Sequence, residues 1–254
     1  MGELLSLRSV SKGFVRGGQP LPVLVDVSLE VAAGEIVAVV GSKDSGKTTL
    51  LRVAAGMERP ETGEVWFGDR ELTGFSDAKR TRLFGREIAW TDREGPGVRL
   101  NVRDFAGLPL TMGRRHGRRE VRSLAQQALE RVGVPGCAGQ RWEDLSKWEQ
   151  VLVGLARGIV SRPRLLVADD LLDALGTKRT QEAGDLLRSL VEELGCGVLM
   201  SVSDLEAALL ADRVWLFTHG ELRLMSDQAN AANAEIIAFP KAARRGGDSR
   251  GVGS

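Results

Sequence analysis

A glycine-rich segment at residues 41–48 has the residue types and the spacing needed to hold phosphate groups. It fits the pattern G-x-x-x-x-G-K-[ST]. Backbone N–H groups of such a loop point at phosphate oxygens, and the positive end of the following helix favours their charge. We predict that Lys47 reaches the terminal phosphates and that the Thr48 hydroxyl is a ligand of Mg²⁺. The residues predicted to bind nucleotide here are Gly41, Ser42, Lys43, Asp44, Ser45, Gly46, Lys47, Thr48 and Thr49.

The residues on either side of this segment predict the strand–loop–helix arrangement that the motif requires. Residues 35–40 contain an apolar run, which is typical of a buried strand, and residues 49–56 have the pattern of a helix. A chance match is the alternative in a glycine-rich chain. The flanking elements argue against it, because a chance match has no reason to lie between a strand and a helix.

A carboxylate at the end of a second strand would complete a metal site. Residues 165–168 form a short apolar run, typical of a central parallel strand, and Asp169 and Asp170 follow it directly. A strand-terminal acid can also cap a helix. An acid about 120 residues after a phosphate-binding loop favours the metal role, so we predict that Asp169 holds the Mg²⁺ shell.

Composition and charge restrict the class of protein. The chain has 254 residues, of which 43% are hydrophobic and 27% charged, as in soluble globular proteins. A net charge of +1 points neither to nucleic acid nor to a strongly acidic partner. The two cysteines lack metal-site spacing and fit a reducing compartment. No apolar run approaches the ~18 residues of a membrane span and no secretory signal is recognisable, so we expect any membrane contact to be made through a partner.

Strand and helix patterns alternate along the chain, which predicts an α/β fold with a parallel sheet. Strands are predicted at residues 3–9, 23–31, 165–168, 197–201 and 213–217, a hairpin at 64–72, and helices at 76–86, 121–132, 149–160 and 181–194. We predict one nucleotide-binding domain over residues 1–227, with a helical subdomain at about 95–160. Residues 228–254, rich in Ala, Asn, Gly and Arg, are predicted to be disordered.

Over roughly residues 3–226 the chain resembles the nucleotide-binding subunits of ABC transporters. Residues 145–150 resemble the signature motif of that family, residues 24–35 its lead-in to the phosphate-binding loop, and residues 211–222 its last strand and turn. The detailed match is closest to the separate-chain ATPases of the lipoprotein-release and macrolide-export type. The resemblance implies a P-loop NTPase fold with a parallel core sheet, an antiparallel β-subdomain and a helical subdomain.

The resemblance also implies cofactors and partners. ATP and Mg²⁺ would be the cofactors, and a permease on separate chains would hold the protein at the cytoplasmic face of the cell membrane. Phe14 lies where the family has an aromatic that stacks on adenine, although a core residue is the alternative. Ser146, in the signature segment, would also bind nucleotide.

Two departures from the family concern the hydrolytic step. Asp170 stands where the family has a glutamate that acts on the attacking water, and Ser203 stands where it has a switch histidine. The shorter side chain withdraws the carboxylate by roughly 1 Å, and a misplacement of this size can reduce a rate ~10²-fold. Serine cannot carry a positive charge toward the γ-phosphate. We therefore predict that both catalytic positions are weakened.

Other departures surround the nucleotide. Lys147 and Trp148 replace the paired glycines of the signature, Asp44 replaces a glycine in the loop, and Gly176 replaces an aspartate after the second strand. The family's Mg²⁺-sensing glutamine is also absent, because residue 92 or 93, an aspartate or an arginine, holds its place. We predict that Trp148 obstructs the approach of the signature to phosphate and that Gly176 loses a contact across the dimer.

A basic cluster at residues 114–119, continued by Arg122, lies in the helical part. A solvated face is the default interpretation, and contact with lipid headgroups or a partner protein is the alternative. Interleaved aromatic residues, which would suggest nucleic acid, are missing.

Together these features predict an ATP-binding, hydrolysis-impaired ABC subunit that couples closure of a cassette pair to a permease. Because two such chains would form two defective composite sites, a heterodimer with a more intact ATPase is the preferred hypothesis. An active ATPase that uses Asp170 as its base is one alternative. A regulatory or scaffold protein without a transport role is the second, and a small-molecule kinase, in which the signature segment would have no role, is the most distant.

Overall fold

The computed structural model describes residues 3–111 and 116–225. The elements in chain order are β1 (Glu3–Arg16), β2 (Gln19–Ala32), β3 (Ile36–Val40), α1 (Lys47–Ala54), β4 (Thr62–Phe67), β5 (Arg70–Glu71), α2 (Asp77–Leu83), β6 (Ile88–Thr91), α3 (Val102–Ala106), α4 (Leu108–Thr111), α5 (Arg118–Arg131), α6 (Lys147–Ile159), β7 (Leu165–Ala168), α7 (Thr177–Leu194), β8 (Gly197–Val202), α8 (Leu205–Ala208), β9 (Arg213–Thr218) and β10 (Glu221–Met225). The predicted tail at 228–254, and Arg114 and Arg115 of the basic cluster, lie outside the described residues.

Four strands form an antiparallel sheet in the order β2-β1-β4-β5. The hairpin predicted around residues 68–69 is confirmed, since β4 and β5 pair antiparallel. The first two strands are longer than predicted, and the loop expected at 17–20 is a turn of only Gly17 and Gly18. Both glycines have positive φ angles, 60° and 80°, which lets two residues reverse the chain so that Gln19 already pairs with Arg16.

Six strands form the central sheet in the order β10-β9-β3-β8-β7-β6. β9, β3, β8, β7 and β6 run parallel, and β10 is antiparallel to β9. Every residue of β3, β7 and β8 is buried, because both faces of the sheet are covered. The parallel strand predicted at 165–168 is therefore confirmed, between β8 and β6. The four-residue edge strand β6 was not predicted.

The core lies on the two faces of this sheet. Alternate residues of β3 point to opposite sides: Ile36, Ala38 and Val40 join the apolar cluster with the helices of the region 102–211, and Val37 and Val39 join the cluster with α1 and the antiparallel sheet. The buried strand β3 therefore contributes side chains to the apolar clusters on both faces of the sheet. The phosphate-binding segment follows its carboxyl end.

Helices dominate the region between β6 and β7, as predicted. α5 and α6 begin at Arg118 and Lys147, slightly earlier than the apolar pattern indicated. α7 begins at Thr177, four residues before the predicted start at residue 181. The prediction missed this first turn because the turn is mostly polar and exposed and so lacks an apolar pattern. Gly176 precedes it with a φ of 76°, a backbone angle that suits glycine. α2 ends at Leu83 and not at residue 86, since Gly85 turns the chain with a φ of 84°.

Two further observations concern surface features. Within residues 3–111 and 116–225, none of the helices combines the length and the apolar character needed to cross a bilayer. In the described part of the basic cluster, the Arg122 side chain forms two hydrogen bonds to the Asp104 carboxylate, of 2.9 and 3.1 Å. This arginine is thus neutralised by its own subdomain.

Candidate nucleotide site

The loop at 41–48 connects β3 to α1 along a path that requires glycine at two points. A Cβ atom on Gly46, whose φ is 108°, would lie 2.5 Å from a methyl carbon of Val23. A Cβ atom on Gly41 would lie 2.7 Å from the carbonyl oxygen of Phe217. Since β2 and β9 press this closely on the loop, its shape is fixed by packing as well as by its own sequence. Thr48 and Thr49 follow, half-buried, in the first turn of α1.

The ammonium group of Lys47 is buried within the loop. The lysine is only 4% exposed, and its Nζ donates to the carbonyl oxygens of Gly41 at 3.0 Å and Ser42 at 3.2 Å. Nζ also donates to the Ser203 hydroxyl at 3.1 Å and lies 3.7 Å from Oδ1 of Asp170. The fold thus brings together Lys47 and the two positions predicted to carry hydrolysis.

Thr48 and Asp169 meet as the metal prediction requires. The Thr48 hydroxyl donates to Oδ2 of Asp169 at 2.8 Å, although 121 residues separate them. Burial raises the pKa of the Asp169 carboxyl, and hydrogen bonds from Ser201 and Thr48 oppose that rise. A hydroxyl and a half-buried carboxylate are hard oxygen ligands, which Mg²⁺ prefers, and a cation beside them would favour the ionised carboxylate. The residues present therefore fit a Mg²⁺ ion.

A second observation fits a bound phosphate. The Ser45 hydroxyl lies in the loop, is buried, and makes no hydrogen bond to any part of the chain that the structure describes. Buried hydroxyl groups without a hydrogen-bond partner are uncommon, and a bound ligand is one explanation for such a group. A phosphate oxygen in the loop would supply the missing partner.

Asp170 has a constrained backbone. Its φ is 44°, in the left-handed region that non-glycine residues rarely enter, and its N–H donates to the Ser201 hydroxyl at 2.8 Å. Its Oδ1 lies 3.0 Å from the same hydroxyl. Ser201 was not predicted to belong to the site. The available signal was a single serine near the end of the apolar run at residues 197–202.

Asp44 takes the backbone angle expected where the family has glycine. It is exposed, with a φ of 61°. Lys43 and Ser42 beside it are exposed as well. The loop therefore accommodates an aspartate sterically, and its charge stays close to where phosphates would lie.

Changing Asp44 is expected to separate the effects of charge and backbone. Asp44→Asn keeps the size and the tolerance of positive φ but removes the charge, and we expect it to tighten nucleotide binding by roughly fivefold because like charges repel. Asp44→Gly should give at least the same gain, since glycine also relaxes the backbone. Isothermal titration calorimetry with ATP·Mg²⁺ measures both. Weaker binding by the asparagine variant would show that Asp44 assists the nucleotide.

The signature segment starts a helix. Ser146 caps α6: its hydroxyl accepts the Glu149 N–H at 3.3 Å, and its own N–H donates to the Glu149 carboxylate at 2.8 Å. Trp148 is half-buried against the helical core, and the Arg179 guanidinium lies 4.7 Å from its ring centroid. Lys147 is exposed. In this protomer the indole is thus partly covered by its own chain.

Phe14 lies on β1, away from the phosphate-binding loop in sequence, where it pairs across the sheet with Leu21. Its side chain is 43% exposed, and Lys12 Nζ lies 5.4 Å from the ring centroid. The exposure does not fit the alternative of a core residue. A surface ring is available for stacking, so the adenine role stays a prediction.

Residues 92 and 93 join the site to the helical subdomain. The Asp92 carboxylate accepts the Trp90 indole N–H at 2.8 Å and lies 3.7 Å from the Arg157 guanidinium on α6. The Arg93 guanidinium donates to the carbonyl oxygen of Asp173. The Asp173 carboxylate in turn accepts the N–H of Ser203 at 3.0 Å. These contacts form a continuous path from Arg93 through Asp173 and Ser203 to the Lys47 ammonium group.

Fold and loop together define a P-loop nucleotide-binding protein of mixed α/β type. The family model for ABC transporters matches residues 24–173. An aliphatic sulfonates import ATP-binding protein, SsuB of Escherichia coli, is 36% identical over 225 residues, which are 88% of this chain and 80% of the relative. A lipoprotein-releasing system ATP-binding protein, LolD of Francisella tularensis, is 27% identical over 227 residues, 87% and 96% of the two chains.

A solved structure gives the same result. The dimeric ABC transporter cassette MJ0796 superposes with a TM-score of 0.80 at 26% identity, covering 87% of this chain and 97% of its own. The chain belongs to the ABC transporter family, and its fold is that of the ATP-binding cassettes. The relatives include the lipoprotein-release type that the sequence indicated, and also import proteins at higher identity.

Proposed function

We propose that this chain is an ATP-binding, hydrolysis-impaired subunit of an ABC transporter. In this role, ATP and Mg²⁺ hold two cassettes together, and closure of the pair moves a permease carried by other chains. The observation that carries the proposal is the group of side chains at and beside Lys47, formed with Thr48, Asp169, Asp170 and Ser203. It retains the groups for phosphate and metal, and it turns the Asp170 carboxylate toward Lys47 and Ser201.

Nucleotide binding is supported by residues that retain their chemistry. Lys47 supplies a buried cation, and Thr48 and Asp169 lie in contact. The Ser45 hydroxyl has no hydrogen-bond partner within the described residues and could donate to a phosphate oxygen. When bound, Mg²⁺ would neutralise phosphate charge beside Thr48 and Asp169. Phe14, exposed on β1, would stack on the base, and Ser146 would face the nucleotide of the second subunit.

Impaired hydrolysis is supported by the two catalytic positions. A residue that activates water must be within hydrogen-bond reach of that water. The Asp170 side chain is one methylene shorter than the glutamate of the family, and its Oδ1 lies 3.7 Å from the Lys47 ammonium group. Ser203, which accepts a hydrogen bond from Lys47, is neutral and cannot supply the charge of a histidine. These two positions support a site that holds nucleotide without turning it over.

The partner we propose is a second, more intact ABC ATPase on a shared permease. The relatives SsuB and LolD are ATP-binding proteins of import and release systems, and the MJ0796 cassette is a dimer. A permease partner would place this chain on the inner face of the cell membrane. In a homodimer each nucleotide would face Lys147 and Trp148. A heterodimer would let a glycine-containing signature close over the nucleotide held by Lys47.

Co-expression with the permease and the second ATPase of the same transporter tests this assembly. We expect native mass spectrometry of the purified complex to show one copy of this chain and one of the intact ATPase. Two copies of this chain on the permease, with no second ATPase, would contradict the heterodimer. Purification without any membrane protein would favour the regulatory or scaffold alternative.

Within that complex, Trp148→Gly is expected to raise ATP turnover by about tenfold or more, because glycine lets the signature backbone approach the partner's phosphate. Trp148→Phe is the matched control, since it keeps an aromatic ring and should leave turnover unchanged. Phosphate release at saturating ATP is the measurement. An equal rise in both variants would show that removal of the ring is not needed for the gain, and would contradict the proposed obstruction by Trp148.

A further inference from the structure

Ser201 lies where the two acidic residues of the site meet. It is the fifth residue of β8 and is only 1% exposed. Its hydroxyl is 2.7 Å from Oδ1 of Asp169 and 3.0 Å from Oδ1 of Asp170, and it accepts the Asp170 N–H at 2.8 Å. One buried hydroxyl thus contacts both side chains and a backbone group of the same pair.

The hydroxyl has a single proton to donate to the two carboxylates. The shorter distance assigns that proton to Asp169, whose other oxygen accepts from Thr48. Both Asp169 oxygens are therefore fixed by hydroxyl groups from two different elements, β8 and α1. This leaves the carboxylate little freedom to rotate away from Thr48.

The same serine fixes the backbone of Asp170. A non-glycine residue at a φ of 44° is strained, and the surroundings must compensate for that strain. The N–H of Asp170 finds its acceptor in the Ser201 hydroxyl, while its Oδ1 lies within 3.7 Å of Lys47. Removing the hydroxyl would free the Asp170 backbone and one Asp169 oxygen at once.

We propose that Ser201 is a positioning residue for the magnesium ion, one that aims Asp169 at the metal beside Thr48 and holds Asp170 against Lys47. The inference rests on the proposed binding of ATP·Mg²⁺ and adds a residue to that site. It predicts that Ser201 raises the affinity for Mg²⁺ and leaves the affinity for metal-free nucleotide unchanged. The hydrogen bonds of the Lys47 ammonium group, to Gly41, Ser42 and Ser203, do not involve Ser201.

The test measures Mg²⁺ affinity in the presence of a non-hydrolysable ATP analogue, and separately the affinity for that analogue in EDTA. Removal of groups that orient metal ligands typically weakens metal binding by about 10- to 100-fold. We expect Ser201→Ala to weaken Mg²⁺ binding by a factor in this range. Its affinity for the ATP analogue in EDTA should equal that of the wild type. Ser201→Thr, which keeps the hydroxyl, should restore the wild-type value.

Two further variants guard against a merely structural effect. Ser6→Ala removes another serine hydroxyl that is 2% exposed, far along the chain on β1, and should leave Mg²⁺ affinity unchanged. If Ser201→Ala does not fold, Ser201→Cys keeps the volume with only a weak donor, and should show the same loss. Equal Mg²⁺ affinity in wild type and the folded alanine or cysteine variant would overturn this inference alone. Absence of nucleotide binding by the wild type would overturn the proposed function as well.

Discussion

Replacing Lys47 with alanine is expected to weaken ATP·Mg²⁺ binding by about 10- to 100-fold, because a hydrogen bond to a charged group contributes roughly 1.5–3 kcal/mol. The lysine is 4% exposed and held by two loop carbonyls, so its charge is already placed where phosphate would lie. Little ordering remains to be done when the nucleotide arrives. Calorimetry, or a fluorescent nucleotide analogue, measures the change.

Lys43 provides the matched control for this substitution. It lies in the same loop, where its predicted contact with phosphate is through the backbone N–H, and its side chain is exposed, so Lys43→Ala should change affinity by less than about threefold. Thermal unfolding should accompany both measurements, because Lys47→Ala also removes the cation 3.7 Å from Asp170. Since Asp170 is 38% exposed, water can solvate it, and we expect the fold to survive. Equal affinity in wild type and Lys47→Ala would show that this loop is not the nucleotide site.

The isolated protein is expected to hydrolyse ATP barely above background, since loss of a well-placed general base reduces rates by about 10²–10⁴-fold. Asp170→Ala should therefore leave the rate nearly unchanged. The structure supports this expectation, because Oδ1 of the short Asp170 side chain lies 3.7 Å from the Lys47 ammonium group. Mg²⁺-dependent release of phosphate by the purified wild type is the quantity to measure.

Restoring the two family residues is expected to help little. In Asp170→Glu with Ser203→His, turnover should rise by less than about tenfold while Trp148 and Gly176 remain, since the groups of such a site act as a unit. Asp170→Asn with Ser203→His is the control that lacks a carboxylate. Robust phosphate release by the wild type, abolished by Asp170→Ala, would refute the impaired site and favour an active ATPase with Asp170 as its base.

Several features could be predicted because they depend on short stretches of sequence. The loop at 41–48 carries its own phosphate chemistry, and the apolar runs around it specify a buried strand and a helix. The meeting of Thr48 with Asp169 was also predictable, since parallel strands gather their carboxyl ends at one edge of a sheet. The edge strand β6 and the first turn of α7 were missed, because short or polar segments carry too little periodic signal.

By itself, the sequence determined the residues suited to phosphate and Mg²⁺ and the family of the chain, because both depend on local motifs with fixed spacing. Only the tertiary structure decided what surrounds the motifs. The register of β7 and β8, in which Ala168 pairs with Met200, places Ser201 beside Asp169 and Asp170. The position of the first turn of α7 places the Arg179 guanidinium over the ring of Trp148, at the start of α6. Such contacts join residues about 30 positions apart, and their geometry is set by strand register and helix packing, which no local pattern encodes.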